Sequence, residues 1–528
     1  MKYFGWVFLF FIVVYVLPLG SRPLSLPEYG FAETTREMVM AGDYVTPRLR
    51  GEAVLDVPAP AYYPGAKGIQ LFGKNSFAVR FPSALAAGLT ALFIWILIKQ
   101  VLRDEKLAAL SAVIYLSFSV VYGSGTLANE ASLGAMLIVG CCGCMFMALQ
   151  EEKFNRRKAL NLILSGAFMG SGFLVSGFDA VIIPLLSGIG YMLWDKKLRQ
   201  LPLLVIACGI IAFLVAMPWM LAINRALPGY WQNFVRLEYR AFLPSYGDAP
   251  WYWQLFFFAL GAFPAALLIP AAGVVGKEAW KGFLRQPLFR FAFCFLVLPL
   301  IFFSFNCTWD VNCVLACFAP LALLIAAGVR VYFNSGCHHR SYNWVMSLWG
   351  AFLIIAGGAL LTFHFLNLYV LKYLPLSPLF YPVMGTVLIF AGALMLYSLI
   401  GNWRSRLYLF FFGIGLVMLF LPWFFKGNPH MPGEALQEIK TRYIDRLNPE
   451  VTVIVERADL AHAAAWEFDR RDIPSYEKKY AGNKMPHYLI KFASSYDAGA
   501  IFTKDGIALH KWAVSPAAEL LKDLTNAH

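Results

Sequence analysis

Apolar runs of about 17–25 residues recur along this chain, and each is long enough to cross a bilayer as a helix. About thirteen can be placed, near 3–20, 82–101, 107–124, 133–150, 160–176, 178–194, 201–222, 252–275, 286–303, 312–330, 343–367, 379–400 and 407–426. The 528 residues are 59% hydrophobic and 14% charged, whereas an ordinary soluble domain carries about 25% charge. The chain therefore reads as an all-α polytopic membrane protein. The runs on either side of Ser176 and Gly177 are so close that they also read as one long broken element.

The basic residues are not scattered. Lys99, Arg103 and Lys106 share one short loop; Lys153, Arg156, Arg157 and Lys158 share the next one on the same side. Lys196, Lys197 and Arg199 follow, then Lys277, Lys281 and Arg285, then Arg330 and Arg340, then Arg404 and Arg406. Every second short loop is basic, so that side is cytoplasmic. Lys2 puts the N-terminus there too, and an odd span count places 21–81, 223–251 and the C-terminal tail outside. This placement accounts for the net charge of +13 and excludes a nucleic-acid partner; the lipid bilayer is the partner it implies. Residues 1–20 resemble a signal peptide but lack a small-x-small cleavage site, so they read as a retained span.

Most of the nine cysteines lie in apolar spans. Cys141, Cys142 and Cys144 form a small-residue stretch suited to close helix packing, and no His or carboxylate stands near them to complete a metal site. Neither a metal nor a cofactor is expected. The outside segments hold no cysteine pair, so no disulfide is expected either.

Three polar regions remain. Residues 21–81 make a loop far longer than an ordinary connection and carry Glu28, Glu33, Glu37, Asp43 and Asp56 beside Arg36, Arg48, Arg50 and Lys67. Residues 223–251 mix Tyr230, Trp231 and Trp251 with Glu238 and Arg240; these are an interfacial aromatic belt or a groove for a sugar or prenyl chain. The composition shifts near Lys426. The organisation expected is a membrane domain at 1–426 and a soluble domain at 427–528. In the latter, 451–455 and 500–503 read as strands, 460–470 as a helix, and Ser515-Pro516 as the start of a last helix, which together suggest a small α/β domain.

The pattern Pro27-Glu28, Ala32-Glu33, Arg36-Glu37-Met38, Gly42-Asp43-Tyr44-Val45, Pro47-Arg48-Leu49 and Gly51 resembles the bacterial aminoarabinose–lipid A transferases. So does the stretch from Leu71 to Leu92, and the match continues at 114–117, Pro218-Trp219, Ala249-Pro250-Trp251 and 315–324, over about four fifths of the chain. Those enzymes belong with the dolichyl-phosphate-mannose protein mannosyltransferases in the GT-C class. The resemblance implies about thirteen transmembrane helices and an outside C-terminal domain. It implies a polyprenyl-phosphate sugar donor, a lipid A or other envelope acceptor, and a reaction on the periplasmic face of the bacterial inner membrane.

The chain departs from that family where charge matters. The family's Pro-Asp-Glu-x-Arg-Tyr-Ala-Glu is shortened to Pro27-Glu28-Tyr29-Gly30-Phe31-Ala32-Glu33, with Gly30 where the phosphate-holding Arg belongs. Aromatic-Glu-Lys-Pro becomes Leu55-Asp56-Val57-Pro58, a Thr-Lys-Gly becomes Val175-Ser176-Gly177, and a Lys-Gly-Lys run becomes 307–313 with Asp310. A polyprenyl phosphate gains charge as its bond to the sugar breaks, so cations are needed near it. The resemblance makes Glu28, Glu33 and Asp56 the acid candidates, with Glu28 foremost at an aqueous interface. Arg48, Arg50, Arg36 and Lys67 are the replacement cations, or else a solvated loop face. Tyr230, Trp231, Glu238, Arg240 and Trp251 are candidates for an acceptor or lipid groove. The two leading readings are an inverting glycosyltransferase and a lapsed homologue that binds lipid-linked sugars or a partner enzyme. A transporter is disfavoured, since no repeat is visible and Glu130 and Asp179 are the nearest approach to buried charge.

The charge pattern predicts Lys2 and Arg157 inside, and Glu33, Trp231 and His510 outside. A His510→Cys variant should react with an impermeant maleimide in intact spheroplasts. Reaction only after permeabilisation would invert the scheme.

Overall fold

The computed structural model describes residues 2–241, 250–269, 277–305, 312–334, 340–366 and 380–400, residues 411, 413–415 and 418–419, and segments 433–444, 453–455, 457–469, 488–492, 502–504 and 507–511. Helix α1 (Lys2–Phe11) continues into a π turn at Ile12–Val16. The polar loop that follows is structured, with helices α2 (Leu26–Ala41) and α3 (Tyr63–Phe72) and a small hairpin of β1 (Arg48–Leu49) and β2 (Glu52–Ala53). Then come α4 (Ser76–Leu102), α5 (Glu105–Leu116), α6 (Ser119–Thr126), α7 (Ala131–Gln150), α8 (Arg156–Ser176), α9 (Asp179–Trp194), α10 (Leu201–Ala226), α11 (Tyr230–Ala241) and α12 (Trp253–Gly261). Further helices span Pro287–Phe305, Phe318–Asn334, Arg340–Leu366 and Phe380–Ile400.

Among the described residues, six stretches are long and apolar enough to cross a membrane: Ser76–Leu102, Ala131–Gln150, Arg156–Ser176, Leu198–Ala226, Pro287–Phe305 and Asn312–Val331. Shorter apolar helices at Tyr3–Val16, Asp179–Trp194, Gly350–Thr362 and Tyr381–Tyr397 fall on other expected spans. The run 407–426 lies mostly outside the described residues. Gly177 separates α8 from α9 at φ 59° and ψ −141°, a conformation open to glycine, so the close pair is two helices.

Two expected spans are broken, and the breaks meet. The run 107–124 divides at Phe118, which is extended (ψ 133°), and the run 252–275 is interrupted after α12. The freed backbone is satisfied across the gap: Ser119 N–H donates to the Phe263 carbonyl at 2.8 Å, and Phe118 bridges Pro264. The Ser119 hydroxyl donates to the Gly261 carbonyl at 3.2 Å. Irregular backbone at such depth is tolerated only with partners of this kind.

The loops grouped by their basic residues come together at one end of the bundle. Asp104 pairs with Arg330, Asp195 with Arg290, and Lys158 Nζ donates to Gln200 Oε1 at 2.8 Å. At the other end lie the 21–81 segment and the C-terminal residues. There a sheet has the order β3 (Val453–Val455), β4 (Tyr488–Phe492), β6 (Ile507–Lys511), β5 (Phe502–Lys504). The β3–β4 pair is parallel, with the helix Ala458–Phe468 between them in sequence, and β5–β6 is an antiparallel hairpin. Two of these strands and the helix match the sequence expectation; β4 and β6 are additional, and 512–528 lie outside the described residues.

The helices Arg340–Leu366 and Phe380–Ile400 pair through glycines seven residues apart on each. A Cβ on Gly357 would sit 2.5 Å from the Gly385 carbonyl oxygen, and one on Gly392 2.6 Å from that of Gly350. Gly358, next along, faces open space. Such backbone contact is a known route to association where no hydrophobic drive separates helix from lipid. Gly357→Ala should therefore destabilise by about 1–3 kcal/mol. Gly358→Ala should be neutral or stabilise by up to about 1 kcal/mol. Thermal unfolding of the two variants in one detergent checks this; equal shifts would show that the crossing is not close-packed.

Candidate functional site

Helix α2 organises the outer end. Ser25 and Glu28 form a reciprocal capping box, Pro27 lies in the first turn, and Gly42 closes the helix at φ 65°. Such signals set both ends locally. Glu28, Glu33, Thr34, Thr35, Arg36 and Glu37 are all buried, because packing covers the helix on several sides. One apolar core joins Leu26, Tyr29 and Ala32 of α2 to Ala78 and Val79 of α4 and to Leu436, Leu460, Ala464 and Trp466 of the C-terminal part.

Glu28 is only 2% exposed, which corrects the expectation that it stands at an aqueous interface. Its Oε1 accepts from Arg80 Nε at 2.7 Å and Ala128 N at 2.9 Å. Its Oε2 accepts from Arg80 Nη2 at 2.8 Å and from the Ser25 N–H and hydroxyl at 2.8 and 2.7 Å. Arg80, fully buried, spends its other donors on the carbonyls of Leu19, Arg22 and Pro23. Burial alone would raise the Glu28 carboxyl, but the charge and hydrogen bonds of Arg80 outweigh it and hold its pKa at about 2.

Further along α2, Glu33 accepts from Arg36 Nη2 at 2.6 Å and Nε at 2.8 Å. Burial raises the Glu33 carboxyl despite that partner. Glu37 Oε2 accepts from the Gly51 N–H at 3.0 Å, while its buried Oε1 has no hydrogen-bond partner. Arg50 sits at φ 56° in the β1–β2 turn. Burial lowers its pKa against the opposing pull of Glu52, Glu33 and Glu37, and its buried Nε has no hydrogen-bond partner. Arg48 is exposed and donates to the Gly51 carbonyl at 3.2 Å; Lys67 is exposed beside Gln70. A Cβ at Gly30 would meet nothing within 4 Å.

Asp56 is exposed. It lies in electrostatic range of Tyr62, whose hydroxyl pKa is raised first by burial and then by Glu130, Asp56 and Tyr230. Tyr230 is buried, edge-on to Trp219 and stacked on Phe234; Trp231 stacks on Phe234 and tilts against Phe173. Trp251 is 62% exposed and pairs with Tyr252. Glu238 and Arg240 fall in α11 with side chains outside the described residues, and Asp310 lies outside them altogether. The structure thus brings Glu33, Arg36, Glu37 and Arg50 together, and Asp56 with Tyr62, Glu130 and Tyr230. Lys67 and Trp251 stand apart. Among the described residues no three His, Cys, Asp or Glu converge as a metal set; Cys141 lies 3.3 Å from the Ser165 hydroxyl, in helix packing.

Residues 56–221 match the family model of the dolichyl-phosphate-mannose-protein mannosyltransferases. An undecaprenyl phosphate-alpha-4-amino-4-deoxy-L-arabinose arabinosyl transferase of Sodalis glossinidius is 30% identical over 486 residues, 90% of this chain and 85% of that one. Its counterpart in Aeromonas salmonicida is 34% identical over 363 residues, 66% of this chain and 64% of that one. The chain belongs to this arabinosyl transferase family. The crystal structure of ArnT from Cupriavidus metallidurans bound to undecaprenyl phosphate superposes with a TM-score of 0.76 at 16% identity, covering 97% of this chain and 98% of that one. That likeness concerns the fold, which is that of GT-C membrane glycosyltransferases.

Within that family frame, Arg80 is the residue that sequence reasoning passed over. The matching stretch 71–92 contains it, but nothing close in sequence identifies its partner. Its signal is a lone arginine entering an apolar helix, which demands a buried acid elsewhere. Glu130, in electrostatic range of Tyr62, was likewise given no place in the site.

The Glu28–Arg80 pair gives a signed pH dependence. An unfolded glutamate titrates near 4.3, so the pair's contribution is present above that pH and is lost as pH falls towards about 2. The contribution is on the order of 3 kcal/mol. Glu28→Gln should lower the unfolding midpoint at pH 7, and the gap to the parent should narrow steadily between pH 4.3 and 2. A gap constant across that window would show that the carboxylate charge is not what matters.

Proposed function

We propose that this protein is an integral-membrane glycosyltransferase that moves a sugar from a polyprenyl-phosphate donor to a lipid A-like or other cell-envelope acceptor. In this reading the reaction occurs on the periplasmic face of the bacterial inner membrane, with the N-terminus cytoplasmic, as the basic loops suggest. The supporting observation is the similarity to the Sodalis relative across 90% of the chain, since that relative is named for an undecaprenyl-phosphate sugar donor.

An acceptor oxygen attacks the anomeric carbon, the bond from that carbon to the phosphate oxygen breaks, and charge grows on the departing phosphate. A cation aimed at that phosphate lowers the barrier. Of the four cations considered, Arg50 fits best: Arg36 is committed to Glu33, Arg48 is exposed and Lys67 stands apart. Arg50 is partly buried, its Nε lacks a hydrogen-bond partner, and it lies in electrostatic range of Glu33 and Glu37 on α2. Among the acids, Glu28 is saturated and Glu33 is held by Arg36. Asp56, exposed and beside Tyr62 with Glu130, is the acid best placed to meet an acceptor. The lapsed-homologue reading draws on Gly30 and Val57, where the family's cations are missing.

Binding of an undecaprenyl-phosphate sugar to the purified protein tests the assignment. A charge-assisted phosphate contact is worth roughly 1.5–3 kcal/mol, so Arg50→Ala should weaken binding about ten- to a hundredfold. Gly30→Arg, at a position with room for a Cβ, should tighten it. Release of undecaprenyl phosphate on adding lipid A supports transfer, and binding without release supports the lapsed reading. A parent protein that binds no polyprenyl phosphate sinks both.

A further inference from the structure

A cavity of about 660 Å³ opens between the start of α4 and the C-terminal part, within the roughly 300–1,000 Å³ range of ligand sites. Its walls include Lys74 and Ser76 on one side, and Lys440, Thr441, Glu467 and Asp469 on the other. None of the residues of the Arg50 and Asp56 regions lines it, although Arg36 of the first approaches its Asp469 from behind.

Three cations converge on one carboxylate there. Lys74 Nζ bonds Asp469 and the Trp466 carbonyl, and stands over the Trp466 ring. Lys440 Nζ is 3.9 Å from Asp469 and donates to the Glu467 carbonyl at 3.3 Å. Arg36 Nη1 is 3.8 Å from Asp469. The other acids nearby are already held. Glu33 binds Arg36; Glu467 accepts from the Tyr29 hydroxyl and from Gln437 Nε2, each at 2.9 Å. Glu467 also feels Lys74 and Lys440, but it is partly buried and hydrogen-bonded; Asp469 is the carboxylate that pairs with the cations while remaining 54% exposed.

The position of that carboxylate is itself informative. Asp469 caps the C-terminal end of the helix Ala458–Phe468 at φ 57°. An acid at a helix C-terminus opposes the helix dipole, and Asn serves the left-handed conformation as well as Asp does. Neither the helix nor the backbone conformation calls for a negative charge there; the cations do. Asp469 thus stands where an anionic group of a ligand would stand, on a half-exposed residue that can yield it.

We propose that this cavity binds a phosphate monoester, with Lys74 and Lys440 as its main cations, Arg36 behind them, and Asp469 as the internal anion that the phosphate displaces. A phosphate has more acceptor oxygens than one carboxylate and up to twice the charge, so it can meet Lys74 and Lys440 at once. The Ser76 and Thr441 hydroxyls are at hand for the group that carries it. That carrier is a sugar or a lipid.

The test uses the full-length protein in phosphatidylcholine nanodiscs, with glucose 1-phosphate as soluble probe, phosphatidic acid in the nanodisc as lipid probe, and inorganic phosphate as reference. Asp469→Asn should tighten monoester binding about tenfold, and Lys74→Gln with Lys440→Gln should weaken it by more than about tenfold. Undecaprenyl-phosphate binding should be unmoved in both. The preferred probe identifies the carrier. Saturable binding that neither substitution alters, or none at all to the Asp469→Asn protein, overturns the proposal. Inorganic phosphate binding as tightly as both monoesters overturns it as well, leaving a bare ion site. Monoester binding by a protein that ignores undecaprenyl phosphate would sink the donor reading while sparing this one.

Discussion

The outer half of this protein hangs on one buried ion pair. Arg80 and Glu28 meet through two parallel hydrogen bonds, a geometry specific to guanidinium and carboxylate, and neither touches solvent appreciably. A buried pair is stable only when its remaining donors and acceptors are satisfied, and here those remaining bonds do the joining. Arg80 reaches the carbonyls of Leu19, Arg22 and Pro23, so α4 is tied to the exit of the first helix. Glu28 reaches Ala128, so α2 is tied to the entry of α7. One salt bridge thereby fixes α2 relative to three membrane helices.

With α2 so held, its other faces become a framework. The face bearing Tyr29 carries the C-terminal part, through a shared apolar core and the Tyr29–Glu467 hydrogen bond. Glu37 secures the β1–β2 turn at Gly51, and Arg50 sits in that same turn. Trp219 of α10 donates to the Val45 carbonyl at 3.2 Å, anchoring the chain ahead of β1. A loop of this length carries function only if such a scaffold makes it rigid.

How much of this the sequence disclosed follows from how local each signal is. A run of twenty apolar residues needs no partner to be read, so ten of the thirteen expected spans fall on apolar helices among the described residues. The break at Phe118 was not, because 118–122 is apolar and its irregular backbone is explained only by Phe263 and Pro264, far along the chain. The strand at 453–455 showed through its β-branched run, whereas Tyr488–Phe492 and Ile507–Lys511 mix Lys and His into short alternations and pass for loop. The site was half legible for the same reason. Glu28 and Arg36 stood out as charges in a membrane chain, but what each one does is decided by Arg80, Glu33 and Asp469, only one of which is near its partner in sequence.

The charges around α2 fall into two groups. One sets Arg50 against Glu52, Glu33 and Glu37. The other gathers Arg36, Lys74 and Lys440 around Asp469. Fields in a cleft with low-dielectric walls act over several ångströms, so the two groups are not equivalent to an approaching phosphate. On the proposed assignment a donor phosphate relies on Arg50, which is itself opposed by Glu52, Glu33 and Glu37. Cations so opposed bind weakly until a nearby acid is neutralised or drawn off. Burial raises the Glu33 carboxyl whereas Arg80 lowers that of Glu28, so one helix carries two carboxylates that its surroundings drive in opposite directions.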